Sequence, residues 1–222
     1  PQLMQATAEL AERHDVRLHT HLAEDPDEDR FCLARFGRRP IEHFEEVGCG
    51  GVRAWVTNFV YPNEEEIRRL GGGGTGVAHC PSSNMILGGG LAPVREMREA
   101  GVPVGLGCDG SASSDSASLW TEARNAMLLG RLRGGMDSGS PGVVMARDAL
   151  HMATRGGAQC LGRDGEIGQL TPGAVGDLVV WPLVGPSFAG ALSDPIEAWL
   201  RCGPCAAGTT VINGQVIVDR GE

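Results

Sequence analysis

The amino-acid sequence predicts an α/β fold with a parallel sheet, followed by a small β segment. Helix-like and strand-like patterns alternate along residues 1–132, which is typical of parallel β/α units. Beyond Gly134, one more helical pattern is followed by short strands with turn signals between them. The 222 residues suffice for one domain with a hydrophobic core and a small appendage.

Each element of the alternating region is predicted from its own periodicity. The helical segments are LMQATAELAERH, DEDRFCLARFG, PIEHFEEVG, NEEEIRRLG, PVREMREAG and SLWTEARNAMLLGRL. The strand-like segments between them are VRLHTHLA, VRAWVTNFV, TGVAHC and VPVGLGC. Period-two alternation in the first strand puts His19 and His21 on the same face.

The C-terminal region has a different pattern. The segment VVMARDALHMATRGGAQCLG is predicted to be one helix with a glycine-rich end. The segments GDLVVWP, TTVING and QVIVDRGE are predicted strands, and the Asn213-Gly214 pair is a strong hairpin signal. We therefore expect a parallel-sheet domain at residues 1–160 and a β segment at residues 161–222.

Two glycine-rich runs are predicted to be connections. LGGGGTG, at residues 70–76, precedes a strand instead of following one, and no Lys-Ser/Thr pair comes after it. It is therefore predicted to be a flexible link and not a phosphate-binding loop. GMDSGSPG, at residues 135–142, is predicted to be a loop or linker.

The charge composition argues against polyanionic partners. The net charge is −9, and all 19 basic residues are arginine, with no basic block. Nucleic acid and anionic membranes are therefore poor candidate partners, and small-molecule chemistry is favoured. The chain has no apolar run of the roughly 18 residues that a membrane span needs, and its opening lacks signal-peptide regions, so we expect a cytoplasmic location.

The seven cysteines are scattered in a chain too long for a disulfide scaffold. We expect most of them to be buried thiols. Cys202 and Cys205 form a C-x-x-C motif, but no second pair accompanies them to complete a tetrahedral zinc site.

Titratable residues come at the ends of three predicted strands. His21 and Glu24 close the first strand, His79 the third and Asp109 the fourth, and parallel strands end at one rim of a sheet. Imidazole and carboxylate ligands with a nearby proton-carrying glutamate suit a divalent ion that activates water. A structural, hydrogen-bonded role is the alternative for each residue taken alone.

Two glycines accompany the last of these strand ends. Gly105 and Gly107 share a face with Asp109. We expect them to leave space beneath its side chain for a ligand.

A set of longer motifs carries a family resemblance. HTHLAED, VAHCPSSNM, AGVPVGLGCDGSASSD, ALHMATRGGAQCLG, IGQLTPGAVGDLVVW and VINGQVIVDRGE occur in this order over essentially the whole chain. They resemble the metal-dependent amidohydrolase superfamily in its cytosine-deaminase-like branch, most of all the 8-oxoguanine deaminases and next the hydroxyatrazine and chloroatrazine hydrolases. The resemblance implies a (β/α)8 barrel beside a small β-sandwich, one zinc or iron ion, and hydrolysis of an amino group from an aromatic heterocycle.

The resemblance also implies roles for individual residues. His21 becomes a metal ligand on the fifth barrel strand, Glu24 the proton shuttle, and Asp109 both metal ligand and base on the eighth strand. His79, at the end of the seventh strand, is implied to act in catalysis near the substrate. The implied substrate-binding residues are Asn58, His79, Ser111 and Asp115.

By this resemblance the chain corresponds to the C-terminal half of a (β/α)8 TIM barrel, strands five to eight, plus the C-terminal part of the β-sandwich. The His-x-His pair of the first barrel strand has no counterpart in it. Four strands alone leave open edges, so we expect a homo-oligomer. We also expect Val52, Val56 and Val77 to face the inside of the half-barrel.

Two positions depart from the family pattern. Asn58 and Tyr61 occupy places where relatives usually carry histidine, and an amide cannot carry a proton or match imidazole as a ligand. Two hypotheses stay open: an aminohydrolase acting on a small heterocycle such as an 8-oxoguanine-like purine, and a non-catalytic remnant. Hydrolysis of an s-triazine or a cyclic amide is a third.

Overall fold

A parallel sheet of four strands is the centre of the fold. A computed structural model describes the chain at residues 1–51, 53–138 and 144–222. The strands are β1 (Leu18–Leu22), β2 (Ala54–Asn58), β3 (Gly76–His79) and β4 (Val104–Leu106), paired in that order and all parallel. The predicted α/β class with a parallel sheet is confirmed.

Helices connect and cover the strands. They are α1 (Gln2–His14), α2 (Pro26–Phe36), α3 (Pro40–Glu46), α4 (Glu64–Gly73), α5 (Pro81–Ile86), α6 (Val94–Glu99) and α7 (Leu119–Ser138). All were predicted except α5. Asn63 begins α4 with a capping box, in which its side chain accepts from the Glu66 amide while Glu66 accepts from the Asn63 amide. Among the described helices, none combines the length and apolar character of a membrane span.

The C-terminal region adds a second, antiparallel sheet. The long predicted helix is present as α8 (Ala146–His151), a π-helical turn (Met152–Gly156) and α9 (Gly157–Cys160). Next come β5 (Leu178–Val180), a 3-10 turn (Pro186–Phe188), α10 (Pro195–Cys202), β6 (Thr209–Ile212) and β7 (Gln215–Asp219). Asn213 and Gly214 both have positive φ, as the predicted hairpin turn requires.

Helix α10, which the sequence analysis missed, connects the two regions. Trp199 and Leu200 of α10 pack in one cluster with Ala123 and Met127 of α7. Because this contact joins the second region to the first, the boundary at residue 160 separates the two sheets but not two independent cores.

The two faces of the parallel sheet differ in cover. Val56 pairs with Val77, and both are fully buried in the cluster that contains Phe44 and Met97 of the helices. The expected inward orientation of these valines is wrong, because they lie on the helix-covered face. Val52, the third of that set, lies outside the described residues.

The opposite face carries the histidines on β1, and α9 packs on this face at Gly105 of β4. His19 pairs with Trp55 and His21 with Thr57 across β1 and β2, and the next strand places Ala78 beside Thr57. Side chains alternate along a strand, so these residues share the face that the buried valines do not occupy. His19 also stacks on Trp55, with ring centroids 4.8 Å apart.

The glycine run at residues 70–76 is partly helical, contrary to the predicted flexible link. Helix α4 continues to Gly73, and Gly74, with φ 74°, ends it in the left-handed conformation. Gly71 lies against the backbone of Ala100, where a Cβ would overlap the carbonyl oxygen. The second predicted loop begins inside α7, which extends to Ser138, and its remainder at residues 139–143 lies outside the described residues.

The glycines of β4 are also explained by close packing. A Cβ on Gly105 would lie 2.8 Å from the Cα of Gly157 in α9, and one on Gly107 would lie 3.0 Å from the Cys80 sulfur. The expected open space beneath Asp109 is therefore wrong, because a helix and a thiol fill it.

The glycine contacts of α4 generate a stability prediction. Gly71→Ala should lower the free energy of unfolding by about 1–3 kcal/mol, the usual cost of forced overpacking. Gly72→Ala is the matched control, because a Cβ there meets no atom within 4 Å. It should raise stability by up to about 1 kcal/mol through helix propensity. Urea unfolding of both variants measures this, and equal effects would contradict the packing explanation.

Candidate active site

Polar residues converge where the parallel strands end. His21 lies in β1, Asn58 closes β2 and Asp109 follows β4. Asn58 (φ 69°) and Asp109 (φ 57°) are in the left-handed region, as are Ala23 (φ 50°) and Phe59 (φ 47°). Such backbone strain persists only where surrounding contacts hold it, and it concentrates at functional sites. The rim, meaning the edge of the sheet at which β1, β2 and β4 end near His21, Asn58 and Asp109, is therefore the candidate active site.

His21 and Asp109 come together as the sequence predicts. The His21 Nε2 atom lies 3.3 Å from Asp109 Oδ1, and the His21 side chain is 52% exposed against 14% for Asp109. Two ligands of a tetrahedral zinc ion, at bonds of roughly 2.0–2.1 Å, lie about 3.3–3.4 Å apart. The donor pair therefore fits two positions of such a site, and its imidazole faces open space.

The described residues offer two of the donors that a metal site would need. Within residues 1–51, 53–138 and 144–222, no group of three or more His, Cys, Asp and Glu side chains is arranged to hold a metal ion. A four-coordinate site built on His21 and Asp109 requires further ligands from elsewhere.

Asp109 is held as a carboxylate by donors on several sides. Its Oδ2 accepts the Ser83 hydroxyl at 2.7 Å and the Asn58 amide at 3.5 Å. Burial acts to raise the pKa of Asp109, but hydrogen bonds from Ser83, His21, the Gly110 backbone and Asn58 outweigh it and lower the pKa. The ionised form, which a metal ligand requires, is therefore favoured.

Asn58 joins the predicted proton carrier to this carboxylate. Its Nδ2 donates to Glu24 Oε1 at 2.9 Å and also reaches Asp109. Asn58 is fully buried, and its Oδ1 has no hydrogen-bond partner within the described part of the chain. The Glu24 amide donates to Glu28 Oε2 at 3.1 Å, which fixes the turn after β1. Glu24, Asn58 and Asp109 thus form one connected group.

His79 is not brought into this group. In β3, His79 lies two residues after Val77, and side chains two residues apart in a strand point to the same face. The His79 side chain therefore lies on the helix-covered face, as Val77 does. Burial lowers the pKa of His79 to about 4. Its side of the sheet borders a cavity of about 20 Å³ lined also by Val94 and Gly130. His79 is therefore a neutral interior histidine, separated from Asp109 by the sheet.

Ser111 and Asp115 lie in the loop after Asp109, and both are exposed. Neither side chain makes a hydrogen bond to His21, Glu24 or Asp109 in the described structure. Two neighbours in the same loop, Ser113 and Ser114, are buried instead.

Two contacting residues were missed by the sequence analysis. Ser83 donates to Asp109, and the fully buried Glu122 accepts from the Ser82 amide and the Ser114 hydroxyl. Ser83 lies within VAHCPSSNM, one of the motifs that carry the family resemblance. Glu122 left no signal beyond an acid among apolar neighbours in LWTEARNAM.

The cysteines near the site are thiols. Four of the seven are buried, and all seven are free of disulfides, as predicted. Burial, aided by the charges of Asp109 and Glu122, raises the pKa of Cys80 to about 12. Its sulfur is therefore protonated at neutral pH.

The donors to Asp109 generate a pH prediction. A carboxyl group whose pKa is lower in the folded state stabilises the fold above its unfolded pKa, and this contribution disappears as pH falls through the folded pKa. Ser83→Ala should raise the pKa of Asp109 and cost about 1–3 kcal/mol at pH 7. The cost should shrink below pH of about 3.9, the unfolded value.

Carboxyl ¹³C NMR titration and urea unfolding at pH 7 and pH 3 measure these changes. Ser113→Ala is the matched control, because its hydroxyl bonds the Gly110 carbonyl and not Asp109. An unchanged Asp109 pKa in Ser83→Ala would contradict the assignment.

Comparison with known proteins identifies relatives of this chain. The sequence profile of the amidohydrolase family matches residues 1–217. The chain is 48% identical to 8-oxoguanine deaminase from Pseudomonas aeruginosa over 214 residues, which are 96% of this chain and 46% of the relative. It is 37% identical to 5-methylthioadenosine/S-adenosylhomocysteine deaminase from Moorella thermoacetica, covering 100% of this chain and 51% of that enzyme.

The fold is likewise similar to solved structures. Atrazine chlorohydrolase from Arthrobacter aurescens, in complex with zinc, superposes with a TM-score of 0.90 at 35% identity. The superposition covers 100% of this chain and 48% of that one. The chain thus spans about half the length of the relatives that it matches. By its sequence match and its fold, the chain belongs to the amidohydrolase family.

Proposed function

We propose that this chain carries one half of the active site of a metal-dependent aminohydrolase. The proposed substrate is a small aromatic heterocycle, a purine of the 8-oxoguanine type. The observation that carries the proposal is the separation of 3.3 Å between His21 Nε2 and Asp109 Oδ1, beside a Glu24 tied to the same group through Asn58. The identity to 8-oxoguanine deaminase supports this substrate class over a triazine or cyclic amide.

The proposal includes the architecture expected from the sequence. Strands β1 to β4 would be strands five to eight of a (β/α)8 barrel within residues 1–160, and residues 161–222 the C-terminal part of a β-sandwich. The half-length coverage of the relatives supports this. So does the sheet order, in which β1 and β4 are edge strands with no second neighbour in the described structure.

One divalent ion, zinc or iron, would be held by His21 and Asp109 together with ligands from outside the part of the chain that the structure describes. Imidazole nitrogen and carboxylate oxygen are the donor types that such ions accept, and their separation fits. When bound, the ion supplies Lewis-acid activation of the attacking water. The zinc complex of the related chlorohydrolase supports a divalent ion.

The chain's own residues would then orient groups and move protons. Glu24, whose Oε1 accepts from Asn58, would carry a proton on its other oxygen from the water to the ring nitrogen beside the departing ammonia. Asp109, kept ionised by its donors, would accept the second proton of that water and pass it to the departing amino group, which leaves as ammonia. The unpartnered Oδ1 of Asn58 would accept an N–H of the substrate, since buried polar atoms require partners.

The remaining predicted site residues have smaller roles in this proposal. Ser111 and Asp115 would contact the substrate from the exposed loop at the rim. No catalytic contact is assigned to His79, because its side chain lies on the other face of the sheet.

The cellular location and the partners are proposed from the composition and from the open sheet edges at β1 and β4. The chain would act in the cytoplasm on a small molecule, with neither nucleic acid nor membrane as a partner, because its net charge is −9. The edge strands β1 and β4 would be covered by a second protein segment, in a homo-oligomer or in a completed barrel.

A non-catalytic chain is the second candidate, and one observation favours it. By the family resemblance, Asn58 stands at a position where histidine is usual, and it can neither carry a proton nor match imidazole as a ligand. Under this alternative the contacts among Glu24, Asn58 and Asp109 would be structural only.

Complementation separates the two candidates. The 222-residue chain alone should release no ammonia from 8-oxoguanine at a useful rate, because it holds two ligands. Mixed with the N-terminal half of the Pseudomonas aeruginosa relative and zinc, it should release ammonia, and chelator should abolish the reaction. A folded complex that binds zinc without activity towards 8-oxoguanine, guanine or a triazine would favour the non-catalytic reading.

Two substitutions in that complex test the assigned roles. Asp109→Asn should remove both zinc and activity, whereas the exposed Asp115→Asn serves as the control and should keep the zinc. Glu24→Gln should keep the zinc and lower turnover by roughly 10²–10⁴-fold, the usual effect of losing a general acid–base. Metal content by emission spectroscopy and ammonia release measure both, and full zinc content in Asp109→Asn would remove Asp109 from the ligand set.

A further inference from the structure

Glu122 is a fully buried carboxylate in the first turn of α7. Its Oε2 accepts the Ser82 amide at 2.9 Å, and its Oε1 accepts the Ser114 hydroxyl at 3.2 Å. A buried carboxylate is costly unless its oxygens are satisfied, and these two bonds satisfy them. In the described structure no arginine forms an ion pair with it. Neutralising a cation is therefore not what Glu122 does here.

Helix α7 holds the segment after β3 at two atoms. Besides the bond from the Ser82 amide to Glu122, the Ser82 hydroxyl accepts Asn125 Nδ2 at 2.9 Å. Glu122 and Asn125 are three residues apart and so lie on the same side of the helix. The backbone at Ser82 is thereby fixed to α7, and the next residue, Ser83, is fixed with it.

Ser83 connects this anchor to the candidate metal ligand. Its hydroxyl donates to Asp109 Oδ2 at 2.7 Å, which leaves Oδ1 directed at His21 Nε2, 3.3 Å away. The chain of contacts therefore runs from Glu122 to Asp109 through two adjacent serines.

The second bond of Glu122 holds the other side of Asp109. Ser114 lies five residues beyond Asp109, and its amide donates to the Gly110 carbonyl at 3.0 Å. One carboxylate thus fastens both the segment that donates to Asp109 and the loop that follows it. Asp109 itself has a left-handed backbone (φ 57°), which external contacts must maintain.

We infer that Glu122 is a positioning residue for Asp109. By fixing Ser83 and the loop at Ser114, it keeps Asp109 Oδ2 engaged and Oδ1 presented to the ion, and Asn125 assists it. This inference rests on the proposed function, because it needs Asp109 to be a metal ligand.

Variants of Glu122 distinguish positioning from general stability. Gln at this site can accept the Ser82 amide through Oε1 and donate to the Ser114 hydroxyl through Nε2, so it preserves both contacts, whereas Ala removes both. Glu66→Ala is the matched control, since Glu66 is also a buried carboxylate and bonds Arg39 and the Asn63 amide in a region without contact to Asp109.

The experiment measures zinc dissociation constants of the complex with the N-terminal half of the Pseudomonas aeruginosa relative, by competition with a chromophoric chelator. The unfolding free energies of the same variants of the 222-residue chain are measured in parallel. Loss of a residue that orients a ligand typically weakens metal binding by about 10–100-fold, so Glu122→Ala should do so while Glu122→Gln stays within about threefold of the parent. Asn125→Ala should weaken zinc binding in the same direction, and Glu66→Ala should lose stability with zinc affinity unchanged.

Several results would overturn the inference. A folded Glu122→Ala variant with parental zinc affinity would do so, as would a Glu66→Ala variant weakened equally. If Glu122→Ala does not fold, Asn125→Ala takes its place, and parental affinity there would overturn it. If Asp109→Asn abolishes zinc binding but Glu122→Ala and Asn125→Ala leave it intact, this inference alone is refuted. If Asp109→Asn leaves zinc binding unchanged, the proposed function is refuted and this inference with it.

Discussion

The carboxylate of Asp109 is the point on which the arrangement of the rim depends. Three side chains from three separate segments meet it: His21 from β1, Asn58 from β2 and Ser83 from α5, which follows β3. A largely buried carboxylate requires such donors, because without them burial would favour its neutral form. Each donor is delivered by a parallel strand ending at the same edge, so the sheet order β1-β2-β3-β4 is a condition of the site.

Backbone conformation contributes as much as side-chain chemistry. Asn58 and Asp109 both have left-handed backbones, a conformation that Asn and Asp adopt more readily than most residues. The backbone of Ala23 is also left-handed. Its carbonyl oxygen accepts hydrogen bonds from the amides of Val60 and Tyr61 at 2.9 Å, and these bonds join the end of β1 to the end of β2. The strained turns are therefore joined by backbone hydrogen bonds, which support a rigid arrangement of the strand ends.

Much of this could be predicted from sequence, and the failures have physical reasons. The alternating pattern predicted the four strands, and the strand-end rule grouped His21 with Asp109, whose side chains lie 3.3 Å apart in the structure. His79 was grouped with them because it also ends a strand, but it lies two residues from the buried Val77 and so shares its covered face. The alternation of side chains along a strand, applied to β3 as it was to β1, would have separated His79 from His21 and Asp109.

Other features left no periodic signal. Ser83 and Asp109 are 26 residues apart, and Ser82 and Glu122 are 40 apart, so only the folded chain brings each pair together. The helical glycines of α4 contradict local propensity, and the close approach of Gly71 to Ala100 explains why tertiary packing prevailed there.

The proposed function requires His21 and Asp109 to be ligands of one metal ion. Crystals of the zinc-soaked chain, measured on both sides of the zinc absorption edge, would show whether they are. An anomalous peak is expected between His21 Nε2 and Asp109 Oδ1, roughly 2.0–2.2 Å from each atom. A zinc peak at the cysteines, or full occupancy elsewhere with the His21–Asp109 contact unchanged, would contradict it.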